Sequence, residues 1–179
     1  EDELGHHPGA ALLGGVDVIE FGPDPVKGAE QGILQGPFPA VGPDHPVQHM
    51  IVQTFAEMCD LGPDEVALGV DGCSAPNFAV PLRNAALAFA RLCDPAGLPE
   101  PRAAACRLIT AAMTSYPNLI GGPDNFDTLL MEALAGRVLV KGGAEGYQAF
   151  SLLPGALGEG SPALGVAFKI SDGDLKGHN

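Results

Sequence analysis

The sequence predicts an α+β fold in which helices pack on an antiparallel sheet, and three observations support this. Apolar residues recur at helical spacing between residues 46 and 134. Three short segments that read as successive strands follow at 138–140, 146–152 and 164–170. The chain has 179 residues, of which 46% are hydrophobic, so it can build one core of ordinary size.

The first predicted helix begins after residue 44. Asp44 can cap it, Pro46 suits its first turn, and apolar residues continue at spacings of three and four up to Leu61. A short strand over residues 66–70 follows, because apolar and other residues alternate there.

Three further helices are predicted before the strands begin. Two cover residues 81–93 and 100–115, and the second ends where Tyr116 and Pro117 break the helical pattern. Asp124 caps the last helix, which ends at Gly136. Its inward-facing side chains are predicted to be Phe126, Leu129, Leu130 and Leu134.

Glycine and proline divide the chain into two parts. The sequence holds 25 glycines and 17 prolines, and 15 of these 42 residues fall within residues 1–45. We therefore predict a Gly/Pro-rich segment over residues 1–35, in which Val16, Val18 and Ile19 can form one strand. Residues 36–179 are predicted to form the α+β domain.

Charge and hydrophobicity exclude several classes of protein. Nine basic residues against 22 acidic ones give a net charge of −13, which argues against binding nucleic acid. No apolar run is long enough to cross a membrane, and residues 1–30 lack the pattern of a signal peptide. The four cysteines match no zinc-finger spacing, so free thiols in a cytoplasmic protein are expected.

Lys141 is the first candidate for chemistry. The strand 138–140 leads to it, and Gly142 and Gly143 follow, so that backbone or ligand can approach closely. A partly desolvated lysine in this position can act as a base or activate a hydroxyl. The alternative is a surface lysine before a tight turn, paired with Glu145.

A second candidate follows the strand 66–70. Asp71 could bind an amino group, Cys73 could be a metal ligand or a nucleophile, and Ser74 could form hydrogen bonds. The alternatives are an ordinary turn at Asp71-Gly72 and a buried cysteine that packs as a small hydrophobic residue.

A third candidate is the helix start at residues 121–128, which carries Asp127 and Thr128. Free amides at a helix N-terminus can bind a carboxylate. Acidic residues in a first turn are also plain capping chemistry, and that interpretation suffices here.

These segments occur in an order that resembles one family. They are Asp44-His45-Pro46-Val47-Gln48, residues 70–82, residues 88–92, Gly121-Gly122, Phe126-Asp127-Thr128, Met131, residues 141–146 and residues 165–173. Over residues 36–176 the chain is similar to the later part of the serine-dependent, zinc-containing bacterial L-asparaginases, which have a β-lactamase-like fold.

The resemblance implies roles for three residues. Lys141 matches the lysine that pairs with a serine to activate the nucleophile. Asp71 matches the carboxylate that holds the amino group of L-asparagine, and Cys73 matches a zinc ligand. It leaves the oligomeric state open, with a homodimer as one candidate.

The printed sequence also departs from this family. It contains no Ser-x-x-Lys motif and no serine before Ser74, and a single family cysteine is too few to hold zinc. We therefore expect an L-asparagine amidohydrolase that is inactive or impaired as given. The alternative is a non-catalytic protein that binds a small amino acid or a partner chain.

Overall fold

The computed structural model describes residues 17–21, 42, 44–70 and 75–171, with the backbone alone for residues 17–21. The elements in chain order are β1 (Asp17–Phe21), α1 (Pro46–Cys59), a 3-10 turn (Pro63–Glu65), β2 (Ala67–Val70), β3 (Pro76–Ala79), α2 (Leu82–Cys93), α3 (Glu100–Ser115), α4 (Asn118–Gly121), α5 (Phe126–Ala133), β4 (Val138–Gly142), β5 (Tyr147–Leu152) and β6 (Leu164–Lys169). The predicted α+β class is confirmed, and the predicted helices and late strands are all present.

The main sheet has the strand order β1-β6-β5-β4. β4, β5 and β6 are antiparallel neighbours, as predicted, with Lys141 opposite Ala149 and Ala149 opposite Ala167. β1 adds to the far edge of the sheet and runs parallel to β6, so the sheet is mixed there. A parallel neighbour is possible because β1 and β6 are far apart in the sequence, whereas a short hairpin imposes antiparallel pairing.

A second sheet was only half predicted. β2 pairs with β3 in an antiparallel arrangement, with Ala67 opposite Ala79 and Val70 opposite Pro76. The sequence indicated β2, but Pro76 at the start of β3 concealed the other strand. Proline is tolerated at a first strand position because no ladder donor is needed there.

The predicted caps of two helices are one residue too early. His45 caps α1, since its Nδ1 accepts a hydrogen bond from Val47 N at 3.2 Å. Asn125 caps α5, because its Oδ1 accepts from Asp127 N at 2.9 Å. Asp124 has a left-handed backbone with φ 61°, which turns the chain before the cap.

The inward face of α5 also differs from the prediction. Leu130 and Leu134 pack inward as predicted, against the cluster of Met131, Val138 and Val140. Phe126 and Leu129 are 56% and 50% exposed, whereas Asp127, Thr128 and Met131 are buried. Residues 127, 128 and 131 lie on one face of a helix, and that face meets β4. The apolar pattern indicated a helix, but the position of β4 decided which side is buried.

Helices cover both faces of the main sheet. α2 packs on β1, β5 and β6, and α5 packs on β4. On the α2 side, Ala86 packs with Ala149 and Ala167. On the α5 side, Met131 packs with Val138, Val140, Phe150 and Leu152. No helix among the described residues is long and apolar enough to span a membrane.

Candidate active site

Lys141 stands at the end of β4, as the sequence predicted. Its side chain is exposed, and its Nζ donates a hydrogen bond to the carbonyl oxygen of Gly142 at 2.6 Å. The expected partial desolvation is therefore not observed. The lysine that bonds to Glu145 is Lys169, whose Nζ donates a hydrogen bond to the backbone carbonyl of Glu145. The structure places Lys141 where a ligand in solution can reach its ammonium group.

A tight turn joins β4 to β5 directly after Lys141. Gly143 N donates to Tyr147 O at 2.9 Å, and the left-handed Glu145 (φ 56°) and Gly146 (φ 71°) reverse the chain. A Cβ at Gly146 would lie 2.7 Å from Ile170 Cβ, so glycine is required there on both counts. The glycine-rich sequence is thus explained by a turn with no room for side chains.

The buried carboxylate of Asp127 lies against this strand end. Asp127 is 4% exposed, and its Oδ2 accepts a hydrogen bond from Gly142 N at 2.7 Å. Its Oδ1 accepts from Gln148 Nε2 at 2.8 Å. Asp127 is therefore not a simple cap of α5, as the sequence suggested, because Asn125 has that role.

The neighbouring Thr128 does not face the strand end. It is 2% exposed, and its Oγ1 donates to Pro117 O at 3.1 Å, which ties α5 to the start of α4. The two residues were predicted as one candidate group. The structure separates them into a residue that holds the β4 end and a residue that holds the helix.

A cleft of about 510 Å³ surrounds the end of β4. Its lining includes Lys141, Gly142 and Gln148 from the strands, with Asn125 and Asp127 from the start of α5. It therefore combines an exposed ammonium group with amide and carboxylate groups, which suits a small polar ligand.

Tyr147 also lines this cleft. Burial raises the pKa of its hydroxyl to about 12, with a smaller contribution from the nearby Cys59. The hydroxyl stays protonated at neutral pH, so it can take part in hydrogen bonds but cannot act as a general base.

The second predicted group cannot be compared with the structure. Asp71, Cys73 and Ser74 lie outside the described residues. The hairpin β2–β3 that flanks them is described, and Phe78 of this hairpin stacks on Phe55 of α1 with ring centroids 4.9 Å apart. This hairpin therefore contacts α1 through Phe78.

The three described cysteines are buried thiols. Cys59, Cys93 and Cys106 are free and buried. Burial raises the thiol pKa of Cys59 and Cys93 to about 11, and it also raises that of Cys106. Thiols that stay protonated are poor ligands and nucleophiles. Within the described ranges, no group of three or more His, Cys, Asp or Glu side chains could hold a metal ion.

Sequence reasoning missed Gln148 and the main contact of Asp127. Gln148 lies in a strand without any motif, so only its pairing opposite Gly142 shows its relation to the site. Asp127 was noticed, but its partner is 15 residues further along the chain. The available signal was a glycine, Gly142, opposite a polar residue at a strand end. Another side chain can pack closely on such a glycine, as Asp127 does here.

Two comparisons with known proteins bear on this site. The family model described as L-asparaginase II matches residues 40–179, which contain every described residue of the cleft. Among curated proteins, no match is found.

Proposed function

Because the chain belongs to the L-asparaginase II family, we propose that its chemistry is the hydrolysis of L-asparagine to L-aspartate and ammonia. The family match over residues 40–179 carries this proposal. The cleft supports it, because the exposed Lys141 at a strand end, the amide groups of Asn125 and Gln148 and the exposed carboxylate of Asp124 suit a small zwitterionic amide.

In the proposed reaction Lys141 acts as the general base and takes a proton from a serine hydroxyl. The serine oxygen then attacks the carbon of the side-chain amide and forms a tetrahedral intermediate. This intermediate collapses when its C–N bond breaks, and the nitrogen leaves as ammonia with a proton returned by Lys141. Water then hydrolyses the ester, which releases L-aspartate and frees the serine.

The printed chain does not supply this serine in a Ser-x-x-Lys motif. Ser151, in β5, is fully buried and donates a hydrogen bond to the carbonyl of Leu152 at 3.2 Å. It is therefore unsuited to attack a substrate. We propose that the chain binds L-asparagine and is inactive or impaired in its hydrolysis, because the sequence has no Ser-x-x-Lys motif to supply the serine that Lys141 would activate.

The same proposal includes two residues outside the described part of the structure. Asp71 would hold the α-ammonium group of the substrate by charge pairing and hydrogen bonds. Cys73 would be one zinc ligand, and the site would need two or three further ligands in addition to it. A bound zinc ion would act as a Lewis acid or as a structural centre beside the pocket.

The finer architecture belongs to the same proposal. Helices on both sides of a sheet whose edge strand carries the lysine are compatible with a β-lactamase-like fold over residues 36–179. The three free thiols suit a reducing cytoplasm, and a homodimer remains the proposed assembly.

The test measures ammonia release and calorimetric binding with L-asparagine for the purified chain. We expect calorimetric binding and little or no ammonia, and any ammonia that is released should be abolished in Lys141→Ala. The matched control is Arg137→Ala, because Arg137 is exposed and lies just before the opposite end of the same strand. It should leave both quantities unchanged.

The outcomes separate the two classes of function. Lysine-dependent turnover at a normal rate would contradict the proposed impairment and establish an active asparaginase. Binding with a trace of ammonia that Lys141→Ala abolishes would support the impaired hydrolase, whereas binding with no ammonia in either protein would favour the non-catalytic alternative. The absence of both would contradict both functions.

A further inference from the structure

We propose that Asp127 is a positioning residue for Lys141, and that it acts by holding the Gly142 peptide from the opposite face of the sheet. The catalytic meaning of this role rests on the proposed function of Lys141. The contact between Asp127 and Gly142 at the end of β4 is independent of that function.

The direction of the Gly142 N–H group follows from the strand pairing. β4 is an edge strand, and Gly142 lies opposite Gln148. The next pair along the hairpin, Gly143 and Tyr147, is joined by a backbone hydrogen bond of 2.9 Å. Because bonded and non-bonded pairs alternate in antiparallel strands, Gly142 N–H points away from β5. Without Asp127 it would be an unpaired edge donor.

The segment directly after Lys141 has large conformational freedom. Two glycines follow Lys141, and glycine has the largest backbone freedom of any residue. The end of β4 therefore needs a contact from outside the strand to hold one conformation. Asp127 Oδ2 provides this contact with a charge-assisted hydrogen bond of 2.7 Å.

The carboxylate of Asp127 lies close to Gly142. A Cβ at Gly142 would lie 3.4 Å from both carboxylate oxygens of Asp127 and 3.0 Å from Gln148 Oε1. An added Cβ would make ordinary van der Waals contact with the carboxylate and would crowd only the Gln148 side chain. The carboxylate of Asp127 therefore packs closely on Gly142, next to the amide that it holds.

Hydrogen bonds fix the orientation of Asp127 itself. A buried carboxylate is stable only when its oxygens accept hydrogen bonds, and here Gly142 N and Gln148 Nε2 each take one oxygen. The first turn of α5 also favours negative charge at this position. Both oxygens therefore have protein partners, so Asp127 holds the strand end and is not needed to bind a ligand.

Gly142 is in turn hydrogen-bonded to the side chain of Lys141. The carbonyl of Gly142 accepts the hydrogen bond from Lys141 Nζ at 2.6 Å. Lys141 pairs with Ala149, which packs on the α2 side of the sheet, so its side chain leaves the face opposite to Asp127. Asp127 consequently acts on Lys141 through the backbone of Gly142.

The experiment observes Lys141 without any substrate. Reductive methylation with 13C-formaldehyde labels the four lysines and the N-terminus, and Lys141→Arg identifies the Lys141 signal. In the unsubstituted chain we expect this signal to be shifted from that of free dimethyl-lysine. Asp127→Ala should move it to the free position, and Asp127→Asn, which keeps one acceptor oxygen, should move it part of the way.

Amide hydrogen exchange at Gly142 gives a second measurement. Loss of a charge-assisted hydrogen bond should speed its exchange about tenfold or more in Asp127→Ala, with a smaller increase in Asp127→Asn. The matched control is Thr128→Val, which removes a buried hydrogen bond from the same helix turn. It should change neither the Lys141 signal nor the exchange of Gly142.

The outcomes decide the inference even if one variant does not fold, because the isosteric Asp127→Asn can be compared with the unsubstituted chain alone. An unchanged Lys141 signal and unchanged Gly142 exchange in Asp127→Asn would overturn the positioning role. An equal response to Thr128→Val would also overturn it, since the effect would then be general destabilisation. If the response is specific but L-asparagine neither binds nor reacts, positioning stands and the proposed function fails.

Discussion

The two faces of the main sheet are built from side chains of different size. Toward α2 the central strands present Ala149, Ser151, Gly165 and Ala167. On the opposite face the same two strands present Phe150, Leu152 and Val166, beside the edge strand β4 on which α5 packs. Small residues let α2 approach the backbone of β6 closely, whereas large ones keep α5 at the distance that side-chain packing requires.

This difference explains where a polar contact can be placed. On the α2 side, a Cβ at Gly165 would overlap the backbone carbonyl of Ala86, so no spare volume exists there. On the α5 side, the row of large residues ends at Gly142 and Gln148, and the carboxylate of Asp127 occupies the space that remains. The α2 face is thus packed closely against β6. On the α5 face, Asp127 contacts the end of the strand that carries Lys141.

The largest expected effect tests the close-packed face. Gly165→Ala should lower the free energy of unfolding by more than about 3 kcal/mol, because α2 must move away from β6 to relieve the overlap with Ala86. Denaturant unfolding measures this change. The control is Gly62→Ala, whose Cβ would meet only the flexible Glu65 side chain at 3.3 Å and should cost less than about 1 kcal/mol. Equal losses in both variants would contradict the close approach.

A somewhat smaller effect tests the face with large residues. Met131 is 1% exposed, and Met131→Ala should cost about 2 to 3 kcal/mol because it leaves a cavity beside Val138 and Val140. Leu129→Ala on the same helix is the matched control, since Leu129 is 50% exposed. Its loss in denaturant unfolding should stay below about 1 kcal/mol. A larger loss at Leu129 than at Met131 would contradict the orientation of α5.

The smallest effect concerns how stability depends on pH through Cys93, the buried last residue of α2. Burial raises the pKa of Cys93 from 9.0 to about 11. The unfolded chain therefore releases this proton at lower pH than the folded chain does, so stability is complete below about pH 9 and falls as the pH rises toward 11. Unfolding free energies measured across this range should fall less steeply in Cys93→Ala. Identical slopes in the two proteins would show that the thiol is not desolvated.

Local patterns in the sequence were enough to predict most elements. Helical spacing, Pro46 and Pro101 near helix starts, and glycines in turns depend on neighbouring residues only, so they could be read directly. Lys141 at a strand end before a glycine turn was predicted for the same reason, and the structure places it there.

The errors came from features that depend on distant partners. Phe126 and Leu129 were assigned to the core because they are apolar, but β4 lies on the other side of α5. β3 was missed because Pro76 opens it. The parallel edge pairing of β1 was missed because pairing between remote strands leaves little trace in either segment.

The sequence by itself determined the α+β class, the helices, the late strands and the position of Lys141, because these follow from periodicity and from the backbone preferences of glycine and proline. Only the tertiary structure decided what Asp127 does. Its role depends on an edge amide whose direction is set by the pairing of β4 with β5, and on the close packing of its carboxylate against Gly142. Both conditions arise only when strands and helix are assembled.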